Sequence, residues 1–308
     1  MQTCGYPLYW KCPVFISSGG EKAETVSLLQ LTKTWRRLLL SCHDDAAQFV
    51  AFLTQGSRNY LMPEDFVPLI QDVVDTHPGL LFLKEATEFH SRYVHTVIAR
   101  IFYEVNRSWS GKITVSELRR SKFLSTLKLL QDEDDINQVT DFFSYEHFYV
   151  IYCKFWELDK DHDLFIDRED LSRHNEHGKM RDISKYYRSS LLAITALSTR
   201  MIERIFSGAV TRGTAQKEGR MSYTEFVWFL LSEEDKRHST AIEYWFRCMD
   251  LDGDGVLSMY ELEFFYEEQL QRMEQLGIET LPFDDCLCQV ILLIFYNNFH
   301  SYNPPSDA

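Results

Sequence analysis

The sequence predicts a mainly α-helical protein, and three observations support this fold class. Apolar residues recur at helical rather than alternating spacing, as in the stripe Ile98, Ile101, Phe102 and Val105 at positions i, i+3, i+4 and i+7. The 308-residue chain contains only 13 glycines and 8 prolines, and long alternating strands are missing. The third observation is a repeat, in which an apolar helical stripe, a segment of about twelve residues and a second apolar helix follow one another four times.

The composition limits which partners the chain can bind and indicates a folded protein. The chain has 46 acidic and 32 basic side chains, which give a formal net charge of −14. A general binder of nucleic acid or of anionic membranes needs an excess of Lys and Arg, so we expect neither partner. The hydrophobic fraction of 45 % excludes a wholly disordered chain, and the length predicts about two domains.

The cysteines and the termini indicate a soluble intracellular protein. The seven cysteines are scattered and form no CxxC pair, which is typical of reduced thiols. Residues 1–18 lack the basic and apolar segments of a secretory signal peptide. The most hydrophobic run, residues 290–296, is much shorter than the roughly 20 residues that a membrane-spanning helix needs. It is predicted to form a buried helix, and a lipid-associated tail is the alternative.

The four repeated segments share one internal pattern. They are called here loops one to four and span residues 106–117, 159–170, 214–225 and 250–261. The apolar residues at loop position 8 are Ile113, Ile166, Met221 and Leu257. Another apolar residue follows position 12 in each loop, and loops one, three and four have Gly at position 6. This helix–loop–helix pattern predicts four EF-hand units.

Loop four matches the pattern D-x-[DN]-x-[DN]-G-x5-E at every specified position. Calcium prefers six to eight oxygen ligands, and alternate positions of a winding loop direct their side chains inwards. Gly255 permits the positive φ that turns the chain. The predicted ligands are the carboxylates of Asp250, Asp252 and Asp254, the carbonyl of Val256, Ser258 through water, and both oxygens of Glu261. The alternative is an acidic turn that caps two helices.

Loop two is acidic but irregular. Its predicted ligands are the carboxylates of Asp159, Asp161, Asp163, Asp167 and Asp170, together with the carbonyl of Phe165. Leu164 replaces Gly at position 6, where a left-handed conformation costs a non-glycine residue about 1–2 kcal/mol. Asp170 is one methylene shorter than the usual closing Glu. We therefore expect a calcium site that is weaker or more tolerant of magnesium, with a solvated acidic turn as the alternative.

Loops one and three carry too little negative charge to dehydrate a divalent ion. Loop one offers Asn106, Ser108 and Ser110, and loop three offers Thr214, Gln216 and Glu218. A structural role is expected, with loop one paired to loop two and loop three paired to loop four. The predicted organisation is an N-terminal helical region 1–95, EF-hand pair one at 96–177, an atypical insert or linker 178–195, EF-hand pair two at 196–275 and a C-terminal tail 276–308.

Sequence patterns that would indicate catalysis are weak. Ser41, Cys42, His43 and Asp44 include nucleophile and base types, but adjacency in sequence does not make a catalytic triad. Gly219 and its neighbours do not form a phosphate-binding loop. The chain is therefore predicted not to be an enzyme, and no catalytic residue is assigned.

Several longer runs resemble the B-double-prime regulatory subunits of protein phosphatase 2A. These runs are NRSWSGKI at 106–113, FSYEHFYVIYCKFWEL at 143–158, IFSGAVTR at 205–212, EFVWFL at 225–230, IEYWFRCM at 242–249 and loop four. The resemblance covers roughly residues 4–177 and 196–289. Residues 178–195 and those after about 289 depart from the family's pattern, so a variant or partial member of the family is expected.

The resemblance implies a non-catalytic subunit that binds the scaffold and catalytic subunits of a serine/threonine phosphatase and selects phosphoprotein substrates. Calcium would tune that assembly through two sites, which correspond to loops two and four. The resemblance also implies a location in the nucleus, the cytoplasm or both. The alternatives are a calcium sensor or buffer for another target, and an adaptor in which calcium is permanently bound.

Overall fold

The computed structural model describes residues 5–20, 24–174, 197–211 and 219–289, and the prediction of a mainly helical fold is confirmed. The predicted insert at 178–195, the tail after 289 and the first five positions of loop three lie outside the described residues. The six cysteines in the described ranges are all free. Within these ranges, no helix is both long enough and apolar enough to cross a membrane.

Short strands alternate with helices along the chain. The α-helices are α1 (Lys11–Ser17), α2 (Leu28–Ser41), α3 (Asp45–Leu53), α4 (Pro63–Thr76), α5 (Thr87–Val105), α6 (Val115–Arg120), α7 (Phe123–Leu129), α8 (Tyr145–Leu158), α9 (Arg168–Ser172), α10 (Thr199–Arg204), α11 (Tyr223–Glu234), α12 (Ser239–Met249) and α13 (Met259–Gln275). The strands are β1 (Tyr60–Leu61), β2 (Ile113–Thr114), β3 (Phe165–Ile166) and β4 (Met221–Ser222). Further helical turns are Leu8–Trp10, Pro78–Lys84, Ile136–Gln138, the π turn Ile205–Ala209 and residues 283–289.

The first of two compact units contains residues 1–164 and 222–242, and α5 is its central helix. The predicted stripe of α5 is buried, since Ile98, Ile101, Phe102 and Val105 are all at most 6 % exposed. Aromatic rings pack edge-on around this helix: the ring of Phe66 meets those of Phe102 and Phe123 at 5.8 and 5.6 Å. Such contacts add to the stabilisation from apolar burial.

Each EF-hand loop is joined to its second helix by the same helix-capping motif. The residue at loop position 9 is the N-cap, and the carboxylate at position 12 accepts its backbone N–H, which forms a capping box. The four pairs are Thr114 with Glu117, Asp167 with Asp170, Ser222 with Glu225, and Ser258 with Glu261. The start of each second helix is therefore encoded locally, in acidic and non-acidic loops alike.

The predicted pairing of the loops is wrong. Ile113 of loop one is the antiparallel partner of Leu61, and β3 of loop two pairs with β4 of loop three. The reason is a fifth helix–loop–helix unit, whose twelve-residue loop, residues 54–65, runs from the end of α3 into the first turn of α4. This unit pairs with loop one, so loop two pairs with loop three and not with loop one. Among the described residues, Leu257 of loop four belongs to no strand.

The predicted domain boundaries also differ from the two units. The boundary at 95/96 falls inside α5, a single continuous helix. Residues 222–242, which were assigned to EF-hand pair two, belong to the first unit, where the hydroxyl of Tyr223 bonds that of Thr96 at 2.8 Å. The second unit contains residues 165–221 and 243–308. The boundaries could not be predicted because they follow tertiary contacts and not the order of the repeats.

The second unit is held by polar contacts between α10 and the helices after it. The backbone N–H groups of Thr199 and Arg200 donate to the Glu268 carboxylate of α13 at 2.6 and 2.9 Å. Three apolar side chains of α12 in this unit, Trp245, Phe246 and Met249, are only half-buried. Hydrogen bonds therefore join α10 to α13 within this unit.

Candidate calcium sites

Loop four brings its first three predicted ligands together. Asp250, Asp252 and Asp254 each offer a carboxylate oxygen, and these oxygens lie within 4.8 Å of one another. Gly255 has a φ of +84°, as predicted from the turn that it must make. In the part of the chain that the structure describes, no Lys, Arg or His forms an ion pair with these three carboxylates. Three unneutralised like charges this close together suit a divalent cation.

Backbone N–H groups hold the three carboxylates of loop four in place. Asp250 accepts from Gly253 at 2.8 Å and from Gly255 at 3.0 Å. Asp252 accepts from the N–H of Asp254 at 3.1 Å, and Asp254 accepts from the N–H of Val256 at 2.7 Å. These bonds orient the acids without neutralising them, so their negative charge remains available to an ion.

The closing residue of loop four, Glu261, is buried, with only 3 % of its surface exposed. One of its oxygens accepts from the N–H of Leu251 at 2.6 Å, and the other accepts from the N–H and the hydroxyl of Ser258, both at 2.8 Å. Hydrogen bonds from the Ser258 and Leu251 backbones lower the pKa of Glu261. The carboxylate therefore stays ionised and links the loop to the first turn of α13.

Arg204 of α10 is a residue of this site that sequence reasoning missed. Its guanidinium donates to the backbone carbonyls of Arg247, Cys248 and Asp250, at the end of α12 and the start of loop four. It therefore satisfies carbonyls that the helix end leaves without intrahelical partners. No pattern near loop four could have indicated it, because Arg204 lies more than forty residues away in sequence.

The first half of loop two, which belongs to the first unit, also gathers three acids. Carboxylate oxygens of Asp159, Asp161 and Asp163 lie within 4.8 Å of one another, and Asp159 is fully buried. Burial raises the pKa of Asp159, and the neighbouring acids act in the same direction. Leu164 has a φ of +70°, so it adopts the left-handed conformation that the loop requires, and its N–H donates to Asp159 at 3.1 Å.

The second half of loop two belongs to the second unit and contains the other three predicted ligands. Phe165 lies in β3, and Asp167 caps α9 by accepting the N–H of Asp170 at 2.8 Å. The Asp170 carboxylate accepts the N–H of Asp167 at 3.1 Å and forms an ion pair with Arg173, which sequence reasoning missed. Burial raises the pKa of Asp170 in spite of that ion pair. Arg173 therefore already pairs with the carboxylate that was predicted to close this loop.

Loop one, and residues 219–225 of loop three that the structure describes, close without an acidic cluster. In loop one, Glu117 accepts from the N–H of Ser108 at 3.0 Å and from the N–H and hydroxyl of Thr114, both at 2.9 Å. Burial alone would raise the pKa of Glu117, but these donors lower it overall. In loop three, Glu225 accepts from the N–H and hydroxyl of Ser222, both at 2.8 Å. Both closing acids therefore have partners within their own loops.

Three family models match the chain. The model described as "EF-hand domain" matches residues 44–133, the model described as "P2R3B, EF-hand" matches residues 1–38, and the model described as "EF hand" matches residues 242–266. The first of these ranges includes both the unit at 54–65 and loop one. The third range includes the whole of loop four. The EF-hand character of residues 54–65 and of loops one and four is thus supported by sequence similarity as well as by geometry.

Two human proteins are similar over nearly the whole chain. The B'' subunit beta and the B'' subunit alpha of serine/threonine-protein phosphatase 2A are each 63 % identical to this chain over 294 residues, which is 95 % of its length. The matched region covers 48 % of the beta subunit and 24 % of the alpha subunit. This chain therefore spans about half the length of the first relative and about a quarter of the second.

A solved structure is also similar. It is a PP2A PR70 holoenzyme in a form designated diCa, and the matching chain is 65 % identical with a TM-score of 0.71. The match covers 81 % of this chain and 85 % of that chain. The sequence similarity to the B'' subunits and the structural similarity to a chain of this holoenzyme agree, and this chain belongs to the B'' family of protein phosphatase 2A regulatory subunits.

Proposed function

We propose that this chain is a calcium-binding, non-catalytic regulatory subunit of serine/threonine protein phosphatase 2A. It would bind the scaffold and catalytic subunits and direct the selection of phosphoprotein substrates. The observation that carries this proposal is the 65 % identity to a chain of the PP2A PR70 holoenzyme over 81 % of this chain. By the same similarity, the expected location is the nucleus, the cytoplasm or both.

Loops four and two are the proposed calcium sites. Loop four would use Asp250, Asp252, Asp254, Val256, Ser258 and Glu261, and loop two would use Asp159, Asp161, Asp163, Phe165, Asp167 and Asp170. The convergence of three carboxylates in each loop supports this assignment. Bound calcium would supply the positive charge that Asp250, Asp252 and Asp254 lack in the part of the chain that the structure describes. Loop two should be the weaker or more magnesium-tolerant site, because Arg173 already pairs with Asp170.

The residues of loop four connect ion binding to the positions of two helices. Asp250 directly follows the end of α12, and Glu261 lies in the first turn of α13. An ion held by both carboxylates would therefore tie the end of one helix to the start of the next. Glu261 already orders the first turn of α13 through Ser258, and Arg204 orders the end of α12. Calcium binding would therefore change how α12 and α13 are held, and with them the surface that partners would contact.

Capture by the purified scaffold and catalytic subunits tests the function. The full chain should be recovered in calcium and recovered less well in EGTA. The absence of recovery in both buffers would contradict assembly with the phosphatase. Calcium binding without recovery would favour a sensor or buffer for another target, and recovery that is insensitive to EGTA would favour a static adaptor.

Calorimetry tests the two sites separately. The unaltered chain should bind two calcium ions, and Glu261→Gln and Asp159→Ala should each remove one binding event. Asp132→Asn is a matched control, because it removes an exposed acid outside all four loops. An unchanged stoichiometry in either site variant would refute the assignment of that loop.

A further inference from the structure

The centre of loop one contains a side-chain amide of the protein itself. Asn106 is 2 % exposed, and its Nδ2 lies 3.1 Å from the Ser108 hydroxyl and 3.3 Å from the Ser110 hydroxyl. The same nitrogen lies 2.8 Å from the carbonyl of Lys112 and 3.3 Å from Oε1 of Glu117. One amide nitrogen is therefore surrounded by four oxygen atoms.

These four oxygens come from loop positions 3, 5, 7 and 12. In loop four, the same positions belong to Asp252, Asp254, Val256 and Glu261, which are proposed calcium ligands. An amide NH2 group donates two hydrogens and accepts none, so it meets the oxygens with partial positive charge, as a cation would. The orientation of the Asn106 amide is fixed, because its Oδ1 accepts the N–H of Gly111 at 2.9 Å.

The loop that pairs with loop one also places a hydrogen-bond donor of the protein where an ion would bind. In residues 54–65, Arg58 stands at position 5 and donates to Asp65 at position 12, with an Nη2–Oδ1 distance of 2.6 Å. The other oxygen of Asp65 accepts the N–H of Met62 at 2.7 Å, as the closing acids do in the other loops. A guanidinium is permanently charged, so it neutralises the closing carboxylate of this loop at any physiological pH.

We propose that residues 54–65 and loop one form an EF-hand pair that carries its own substitutes for the metal ion, namely Arg58 and Asn106. This pair holds one conformation with or without calcium, and calcium dependence is confined to loops two and four. The buried strand contact between Leu61 and Ile113, both 0 % exposed, joins the two ion-independent loops. The inference concerns the chain alone and requires no phosphatase partner.

Hydrogen exchange on the full chain tests this proposal without any substitution. The N–H groups of Ser108, Gly111 and Met62 should exchange at the same rates in calcium and in EGTA, because their acceptors Glu117, Asn106 and Asp65 need no ion. An increase of about tenfold or more at these amides in EGTA would overturn the proposal.

Two substitutions at Asn106 separate the central amide from ordinary packing. Asn106→Asp keeps the shape but replaces two donors with an acceptor that faces Glu117. Exchange in loop one should then rise by about tenfold or more in EGTA, because the new oxygen repels the oxygens that the amide held. Asn106→Ala should raise exchange equally in both buffers, because no ligand remains at position 1. Exchange in Asn106→Asp equal to that of the unaltered chain in EGTA would overturn the proposal.

A gain of binding provides a second and independent readout. The triple variant Asn106→Asp, Ser108→Asp, Ser110→Asp completes the D-x-D-x-D-G-x5-E pattern around Gly111 and Glu117, which are already in place. It should bind one more calcium ion than the unaltered chain in calorimetry. The matched control Ser108→Asp, Ser110→Asp retains the Asn106 amide and should bind no additional ion. Binding in the control equal to that in the triple variant would overturn the role of Asn106.

Discussion

The guanidinium of Arg204 donates to the backbone carbonyl of Asp250 at 2.6 Å, and it thereby attaches α10 to the first residue of loop four. It also donates to the carbonyls of Cys248 at 2.9 Å and Arg247 at 3.3 Å. One side chain thus satisfies three carbonyls where α12 ends. The Asp250 carboxylate points into the loop from the residue that Arg204 holds, so its position depends on a helix outside the loop.

Arg204→Ala should therefore weaken calcium binding by loop four. We expect the calcium affinity of this loop to fall about tenfold, as is typical when a residue that orients a ligand is removed. The free energy of unfolding should also fall by about 1–3 kcal/mol, because buried carbonyls lose their donors. Calorimetry and denaturant unfolding measure the two effects. The control Arg168→Gln removes a more exposed arginine whose ion pair is with Glu203, and it should leave loop four unchanged.

Glu261→Gln should separate ion binding from helix capping. Glutamine can still accept the N–H of Ser258 and so preserves the start of α13, but it lacks the charge that closes the site. We expect the calcium affinity of loop four to fall by at least about tenfold, while thermal unfolding in EGTA stays nearly unchanged. Glu225→Gln alters the equivalent capping box in loop three and should affect neither quantity. An equal loss of affinity in both variants would attribute the effect to capping.

Arg173→Gln should strengthen calcium binding by loop two. Arg173 pairs with the proposed closing ligand Asp170, and its removal leaves that carboxylate free. A charge interaction of about 1 kcal/mol across 4 Å of water corresponds to an increase in affinity of about fivefold. Calorimetry on the Glu261→Gln background isolates loop two. Arg168→Gln makes the same change in net charge in α9 and should produce a smaller increase, whereas an equal increase would indicate a general charge effect.

Local sequence signals predicted much of this molecule. The stripe in α5 and the acidic pattern of loop four depend on nearby residues, and the structure places these side chains as their spacing required. Leu164 adopts the left-handed conformation for which a cost was expected at position 6, because the loop needs that turn whichever residue occupies it. These features follow from steric and periodic rules that act over about twelve residues.

The remaining features depend on contacts between distant residues. The unit at 54–65 was missed because Thr54 and Arg58 occupy positions where the motif requires acids, and this omission led to the wrong pairing of all later loops. Asn106 was predicted to be a poor calcium ligand, but nothing in its spacing indicated that its amide would occupy the loop centre. Arg204 contacts loop four across more than forty residues of sequence, so no local pattern could predict it.

The stability of the first unit should fall as the pH is lowered below about 6.5, because of His77. This side chain is fully buried; its Nδ1 accepts the N–H of Gly79 at 3.1 Å, and its Nε2 donates to the carbonyl of Glu133 at 2.9 Å. Such a pattern requires the neutral imidazole. Burial lowers the pKa of His77 from its usual 6.5, although Glu133 and Asp134 nearby act in the opposite direction.

The sign of this effect follows from proton linkage. The unfolded state binds a proton near pH 6.5, whereas folded His77 resists protonation until a lower pH, so acidification favours unfolding across that window. One such group changes the free energy of unfolding by at most about 1.4 kcal/mol per pH unit. Denaturant unfolding of His77→Gln between pH 5 and 7 should show lower stability at pH 7 and a shallower dependence on pH. The control His90→Gln removes a half-buried histidine of the same unit and should keep the pH dependence of the unaltered chain. If His77→Gln also kept that pH dependence, other groups would be responsible for it.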